Sequence, residues 1–210
     1  MAKRMADVSL SLFGLILSFP ALIAISLLIK LGSKGPVFYR GERVGRHGKP
    51  FRIYKFRTMV PDAENLGGPS TANEDPRITR VGKSLRKYKL DELPQFLNVL
   101  KGEMSIVGPR PEVKKYVDMY TEEEKAILEL RPGITDWASL WNSDEGAILD
   151  GSEDPEGAYL ELIRPTKLKL QLKYAQHHNL WVDLKIIFLT IFKIWQKDRI
   201  PKEIKPATGK

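Results

Sequence analysis

Residues 8–29 read VSLSLFGLILSFPALIAISLLI, a run of 22 residues without a charged side chain. A straight α-helix of this length is about 33 Å long, which is enough to cross the hydrocarbon core of a bilayer. A single membrane-spanning anchor is therefore one interpretation. A cleaved signal peptide fits poorly, because the run is too long, Asp7 precedes it and no small-residue cleavage site follows it.

Two features favour a hairpin that enters and leaves the membrane on one face. Pro20 lies near the middle of the run, where it removes a backbone hydrogen bond, and the Ser18 hydroxyl can satisfy a freed carbonyl. Each arm, 8–19 and 20–30, is about 17 Å long, roughly half the bilayer core. Both flanks are basic, whereas a span is expected to have asymmetric flanks; the flanking cations are Lys3, Arg4, Lys30, Lys34 and Arg40. We therefore predict a re-entrant helix–break–helix over residues 1–33, with its break at Ser18 and Pro20, and a membrane-associated domain over 34–210.

The composition excludes several classes of protein. Of 210 residues, 42% are apolar and 29% are charged, as in ordinary folded domains. The absence of cysteine excludes disulfides and thiolate metal sites, and it fits a reducing cytoplasmic setting. With three histidines (His47, His177 and His178), a zinc site is a poor fit, so a metal should be a hard cation held by carboxylates and phosphates.

The net charge of +8 indicates an anionic partner, and its position narrows the choice. Between residues 34 and 57 there are eight basic residues against one acid, Glu42, directly after the apolar run. Basic charge beside an apolar segment indicates a membrane surface and phosphate groups more than nucleic acid, for which no motif is present. A solvated basic face is the alternative.

The remaining patterns predict an α+β fold that is mostly helical, with a few short strands. Alternation over 36–59 predicts two strands with a turn near 46–49, followed by a loop over 60–77. A rigid turn is predicted at 108–111 and an acidic loop over 142–157. Helices are predicted over 78–89, 91–101 (with Asp91 as N-cap and Gly102 as its stop), 112–130, 160–177 and 180–197.

In the last predicted helix, a narrow polar stripe is formed by Asp183, Thr190, Lys193 and Lys197, and most other residues are apolar. Lys185 is an exception that lies outside the stripe. Tryptophan lies near each end of its wide apolar surface, at Trp181 and Trp195. This pattern fits an amphipathic helix in the membrane interface, and equally a buried core helix.

Chemistry is expected at the adjacent carboxylates Asp91 and Glu92, in a basic stretch that includes Arg86 and Lys89. Such a pair can cap a helix, hold a divalent cation, or attack a phosphoryl group. Arg110, fixed between two prolines, has the side chain suited to bidentate phosphate contacts. Lys55 and Arg57, near the end of a strand, add further phosphate-binding charge. Together these residues indicate phosphoryl transfer assisted by a divalent cation.

Six short motifs then follow in order: KFRTM at 55–59, DPRIT at 75–79, LDELPQ at 90–95, NVLKG at 98–102, VGPRP at 107–111 and RPGIT at 131–135. With the proline-broken apolar segment, the chain closely resembles the bacterial sugar transferases, in the small, single-domain form of monotopic polyprenyl-phosphate phosphoglycosyl transferases. The resemblance covers almost the whole chain.

The resemblance implies transfer of a sugar 1-phosphate from a UDP-sugar to polyprenyl phosphate, with release of UMP, as the first membrane step of glycoconjugate synthesis. Asp91 would be the nucleophile that forms a phosphosugar-aspartate, and Glu92 its partner. Lys55, Arg86 and Arg110 match the family's basic positions. Mg²⁺, with Asp91 as a ligand, would neutralise the diphosphate, and the enzyme would lie at the cytoplasmic face of the bacterial plasma membrane.

One position departs from the family pattern. Asp136 stands where the family commonly has glycine, beside Trp137 and Trp141. This change indicates a different local backbone or a different ligand contact, and it bears on the choice of sugar. A non-catalytic scaffold that binds anionic lipid is the alternative function. It explains the apolar and basic segments but not the paired acids with Arg110.

Overall fold

The computed structural model describes residues 1–195, so Lys197 and the predicted helix end near it lie outside the described residues. The first helix, α1, runs from Ala2–Gly32 without interruption and contains Pro20. The Ser18 hydroxyl donates to the carbonyl of Gly14, at 2.7 Å, and not to that of Ile16, which faces the proline nitrogen. The expected division of this segment into two helices is therefore not seen, and its re-entrant course stays a prediction.

Both ends of α1 are attached to the rest of the protein, while its middle is exposed. Near the start, the Asp7 carboxylate accepts hydrogen bonds from the Ser105 hydroxyl, at 2.9 Å, and from the Ile106 amide, at 2.9 Å. Near the end, Ile25 and Ile29 are buried in a cluster with other apolar side chains. Between these contacts the apolar side chains face outward, and in the described part of the chain α1 is the helix long and apolar enough to cross a membrane.

Within residues 1–195, six short strands form three separate pairs. They are β1 Phe38–Tyr39, β2 Glu42–Val44, β3 Pro50–Arg52, β4 Lys55–Phe56, β5 Ser105–Val107 and β6 Gly133–Thr135. The antiparallel pair β2–β3, joined by a 3₁₀ turn at Arg46–Gly48, confirms the predicted turn. β1 and β4 also pair antiparallel, so residues 36–59 hold four strands where two were expected.

The parallel pair β5–β6 joins two of the sequence motifs, with Ser105 opposite Gly133 and Val107 opposite Thr135. The two backbones approach closely just beyond this pair. A Cβ atom at Gly133 would lie 2.1 Å from the Gly108 nitrogen, so glycine is required there. The close approach places the turn after β5 directly against β6.

The helices after α1 are α2 Arg80–Lys87, α3 Gln95–Lys101, α4 Lys114–Val117, α5 Trp137–Trp141, α6 Glu145–Leu149, α7 Pro155–Ala158, α8 Arg164–His177 and α9 Leu180–Trp195. The predicted helices at 78–89 and 160–177 are confirmed, as is the one at 180–197 as far as residue 195, where the described residues end. Gly102 ends α3 with a φ of 85°. A π-helical turn at Tyr159–Ile163 leads into α8.

The predicted helix over 112–130 is wrong. Only α4 and a 3₁₀ helix at Glu124–Glu129 form there. The reason is a capping box: the Thr121 amide donates to the Glu124 carboxylate, and the Glu124 amide donates to the Thr121 hydroxyl. This reciprocal pair starts a new turn inside the expected helix.

The predicted acidic loop over 142–157 contains two short helices, α6 and α7. Each begins at an aspartate whose carboxylate accepts backbone amides of the first turn, Asp144 for α6 and Asp154 for α7. The acidic residues of this segment thus act partly as helix caps.

α9 turns its polar stripe toward the protein and its apolar face outward. Asp183 accepts Lys3 Nζ at 2.7 Å, and the Thr190 hydroxyl lies 2.8 Å from that of Thr135. On the opposite side, Trp181 is 82% exposed and Phe188 is 67% exposed. Although Ile186 is buried, α9 is therefore not a core helix surrounded on all sides.

Candidate active site

Asp91 and Glu92 lie in a 3₁₀ turn, Leu90–Glu92, and not at the start of a helix. Helix α3 begins only at Gln95, after Pro94, so the expected N-cap role of Asp91 is wrong. The preceding residue, Lys89, has a φ of 55°. A non-glycine residue in this left-handed region costs on the order of 1–3 kcal/mol, and such strain is concentrated at functional sites.

Glu92 holds two cations that lie far from it in the sequence. Lys55, on β4, donates to Glu92 Oε1 at 2.7 Å. Arg110, in the turn after β5, donates to both carboxylate oxygens, with Nη1 at 3.2 Å from Oε2. The tertiary structure thus brings together Lys55, Glu92 and Arg110, three of the residues that the sequence assigns to the site, and their pairing through Glu92 was not part of that expectation.

The charge state of Glu92 follows from these neighbours. Burial opposes its ionisation, but the positive charges of Arg110 and Lys55 outweigh it and hold the pKa of Glu92 well below its usual range. Glu92 is therefore a carboxylate at neutral pH. Its chemical contribution is to fix the Lys55 ammonium and the Arg110 guanidinium, since both of its oxygens are occupied.

Asp91 is in the opposite situation. The residue is 7% exposed, and within residues 1–195 its buried Oδ1 has no hydrogen-bond partner. Burial raises the pKa of Asp91, with a further increase from the Glu92 charge that Lys55 partly offsets. A buried oxygen with an unmet hydrogen-bonding capacity indicates a ligand, because such groups are rarely left unpaired. Asp91 and Glu92 together are called the dyad below. Asp91 is thus the member of the dyad that is free to attack phosphorus or to bind a cation.

Arg86 lies near the dyad, at the end of α2, and its charge acts to lower the pKa of Asp91. Lys89 acts in the same direction on both acids. The positive charge of Arg86 also acts to lower the pKa of Asp75.

Arg57, which was expected to bind phosphate, lies away from the dyad. Its Nη2 donates to the Ser33 carbonyl at 3.0 Å and to the Ser33 hydroxyl at 2.9 Å, and its Nη1 binds the Lys34 carbonyl. β4 ends at Phe56, so strand alternation does not carry Arg57 to the side of Lys55. Arg57 therefore fixes the C-terminal end of α1 and does not join the dyad.

A magnesium ion fits this donor set. Mg²⁺ is usually held by one or two carboxylates together with the substrate's phosphates. In the described part of the chain no cluster of three His, Asp or Glu side chains forms a preassembled metal site. Asp91, with its free oxygen, is the residue that would hold the ion, while Glu92 is occupied by cations.

A second ion-pair network lies near Arg110, and no pattern in the sequence predicts it. The buried Lys167, on α8, lies 2.6 Å from Glu112 Oε1 and 3.0 Å from Glu145 Oε1. Burial opposes ionisation of Glu145, but Lys167 and Arg110 lower its pKa below the usual value. These residues lie on segments expected to be a loop or an ordinary helix, and a single sequence carries no mark of their pairing.

Asp136 is fully buried and contacts protein groups, so it is not a ligand contact. Its Oδ1 accepts the Ser139 amide at 2.7 Å and caps α5. Its other oxygen accepts the Arg110 amide at 3.2 Å. Of the two expectations for this departure, these contacts favour a role in the local backbone, because Asp136 contacts the backbone of Arg110.

Comparison with known proteins identifies the family of this chain. A family model described as bacterial sugar transferase matches residues 1–197. The chain belongs to the bacterial sugar transferase family. The resemblance carried by the six motifs is thereby confirmed.

Three curated relatives illustrate the family. One from Escherichia coli (strain K12), named UDP-glucose:undecaprenyl-phosphate glucose-1-phosphate transferase, is 40% identical over 91% of this chain and 39% of its own length. One from Aeromonas hydrophila, named UDP-N-acetylgalactosamine-undecaprenyl-phosphate N-acetylgalactosaminephosphotransferase, is 39% identical over 90% of this chain and 42% of its own. The exopolysaccharide production protein ExoY of Rhizobium meliloti (strain 1021) is 37% identical over 91% of this chain and 84% of its own. The chain thus spans about two fifths of the first two relatives.

Proposed function

We propose that this protein transfers a sugar 1-phosphate from a UDP-sugar to polyprenyl phosphate through a covalent phosphosugar-aspartate on Asp91. The observation that carries the proposal is the contrast between the two acids. Glu92 is held by Lys55 and Arg110, whereas the buried Oδ1 of Asp91 has no hydrogen-bond partner in the part of the chain that the structure describes. The names of the relatives support the substrate classes, since two of them act between a UDP-sugar and undecaprenyl phosphate.

In the first step, an Asp91 oxygen attacks the phosphorus that bears the sugar. The bond from that phosphorus to the bridging oxygen breaks, and UMP leaves with the electron pair. Lys55 and Arg110, fixed by Glu92, neutralise charge on the phosphate oxygens during this displacement. Burial of Asp91 favours the attack, because a desolvated carboxylate of raised pKa is the better nucleophile.

In the second step, a phosphate oxygen of polyprenyl phosphate attacks the phosphorus of the acyl phosphate. The carboxyl oxygen of Asp91 leaves, the aspartate is regenerated, and the product is a polyprenyl-diphosphate sugar. A bound Mg²⁺ ion would supply additional neutralisation of the diphosphate. The Arg110 fork suits both steps, because it contacts Glu92 without occupying Asp91.

The membrane arrangement is part of the proposal. The exposed apolar face of α9, with Trp181 and Phe188, lies at the membrane interface, and α1 enters the bilayer as a re-entrant segment. The α9 contact between Asp183 and Lys3 ties these two elements together at 2.7 Å. The site then faces the cytoplasm, where UDP-sugars are available.

The test is a screen of UDP-sugars for UMP release with polyprenyl phosphate and magnesium. We expect release with at least one UDP-sugar, and none from the Asp91→Asn variant. A lipid-binding scaffold would release no UMP under any of these conditions. The exposed apolar and basic surfaces fit both functions, but only the transferase explains the paired acids with Arg110.

A further inference from the structure

The turn that carries Arg110 has an unusual backbone constraint. Pro109 and Pro111 lack a backbone N–H, so the amide of Arg110 is the one donor of this three-residue segment. That amide donates to Asp136 Oδ2 at 3.2 Å. The Arg110 carbonyl, in turn, accepts Gln171 Nε2 at 3.4 Å. Both backbone groups of Arg110 are therefore held from outside the turn.

The two residues that hold Arg110 are themselves joined. Gln171 Nε2, on α8, also donates to Asp136 Oδ2 at 3.1 Å, and both side chains are fully buried. Asp136 Oδ1 is used separately, as the cap of α5 through Ser139. Each Asp136 oxygen thus has a defined role, and no lysine or arginine side chain within residues 1–195 forms an ion pair with this buried carboxylate.

We propose that Asp136 is a positioning residue for the transferase reaction, one that acts by fixing the backbone of Arg110, with Gln171 as its partner. This inference rests on the proposed function. The Arg110 side chain starts from a Cα atom held on both sides, and its guanidinium reaches Glu92 as a two-pronged donor. A shift of about 1 Å in such a group is enough to cost on the order of 100-fold in rate. A glycine at position 136 would offer no side-chain acceptor to the Arg110 amide.

The first variant is Asp136→Asn. Asparagine keeps the shape and retains one acceptor for the α5 cap, but the NH2 group that replaces Oδ2 can accept from neither the Arg110 amide nor Gln171. We expect kcat to fall at least about tenfold, equivalent to a barrier increase of about 1.4 kcal/mol. A second variant, Gln171→Met, keeps the carboxylate and removes the donor to the Arg110 carbonyl, and we expect a smaller loss in kcat.

The deciding measurement repeats both substitutions in an Arg110→Lys background. If Asp136 acts through Arg110, each substitution lowers kcat in the Arg110→Lys background by less than about twofold. The reason is that the guanidinium positioned by Asp136 is already absent in that background. Asp154→Asn is the matched control, since it makes the same change at the cap of α7, which does not contact Arg110. We expect that control to retain the parent activity.

Equal losses of kcat in both backgrounds would overturn the inference, as would losses in both variants that follow the fraction of protein unfolded in a thermal melt. UMP release by the unmodified enzyme tests the proposed reaction by itself. Additive losses in an enzyme that releases UMP therefore refute the role of Asp136 and leave the reaction standing.

Discussion

Replacing Asp91 with asparagine tests the assignment of the nucleophile. Asparagine has nearly the same size but no nucleophilic carboxylate, and Glu92 cannot substitute because Lys55 and Arg110 occupy both of its oxygens. With no second free carboxylate in the dyad, we expect turnover to fall at least about 1,000-fold, which corresponds to a barrier increase of about 4 kcal/mol.

The same substitution, although it lowers turnover, is not expected to lower the stability of the folded protein. Burial raises the pKa of Asp91 in the folded protein. When folding raises the pKa of a carboxyl group, the group's contribution to stability is fully present below the unfolded pKa of about 3.9. That contribution is lost as the pH rises through the folded pKa. At neutral pH the charged Asp91 therefore opposes folding. The Asp91→Asn variant should melt at the same temperature as the parent or higher, although it is inactive.

The assay is intact-protein mass spectrometry after incubation with UDP-sugar in the absence of polyprenyl phosphate. The parent should gain the mass of one phosphosugar, on the peptide containing Asp91, and steady-state kinetics should follow a ping-pong pattern. The control is Asp118→Asn, an exposed acid paired with Lys114, which should be as active as the parent. Robust turnover without a trapped adduct, with kinetics that require a ternary complex, would refute the covalent role. Direct attack by polyprenyl phosphate would then be the better mechanism.

Three further predictions concern the site and the membrane. Arg110→Lys keeps the charge but loses the two-pronged contact with Glu92, so turnover should fall at least about tenfold; normal activity in a folded variant would remove Arg110 from the phosphate site. Activity should decline on acidification as Asp91 becomes protonated, with a midpoint above the ordinary aspartate pKa because burial raises it, and a pH–rate profile measures this. Cysteines introduced at Ala2 and Gly209 should react with a membrane-impermeant reagent only after the cells are opened, and labelling of Ala2→Cys in intact cells would exclude the re-entrant course.

The sequence determined the features that rest on local patterns. A charge-free run of 22 residues predicts an apolar helix, and α1 forms over it. Glycine after a helical pattern predicted the end of α3 at Gly102, and the turn between β2 and β3 was also predictable. The dyad with Lys55 and Arg110 could be proposed as a site of phosphoryl transfer from the sequence, because paired acids with these basic side chains are typical of phosphate chemistry.

Other features differed from the prediction. The Thr121–Glu124 capping box, which is a local pattern, divides a predicted helix, and Pro20 does not divide α1. Local propensity does not decide such cases, because side-chain hydrogen bonds and packing compete with it. Arg57, only two residues from Lys55, was predicted to bind phosphate and instead binds the end of α1.

The sequence by itself therefore determined which residues are chemically competent: two acids and the basic side chains around them. Only the tertiary structure decided how the two acids differ. Lys55 and Arg110 come from other segments of the chain and saturate Glu92, while Asp91 is left buried with a free oxygen. Two adjacent carboxylates have the same intrinsic properties in an unfolded chain, and they acquire different roles only when folding gives one of them cationic partners and desolvates the other.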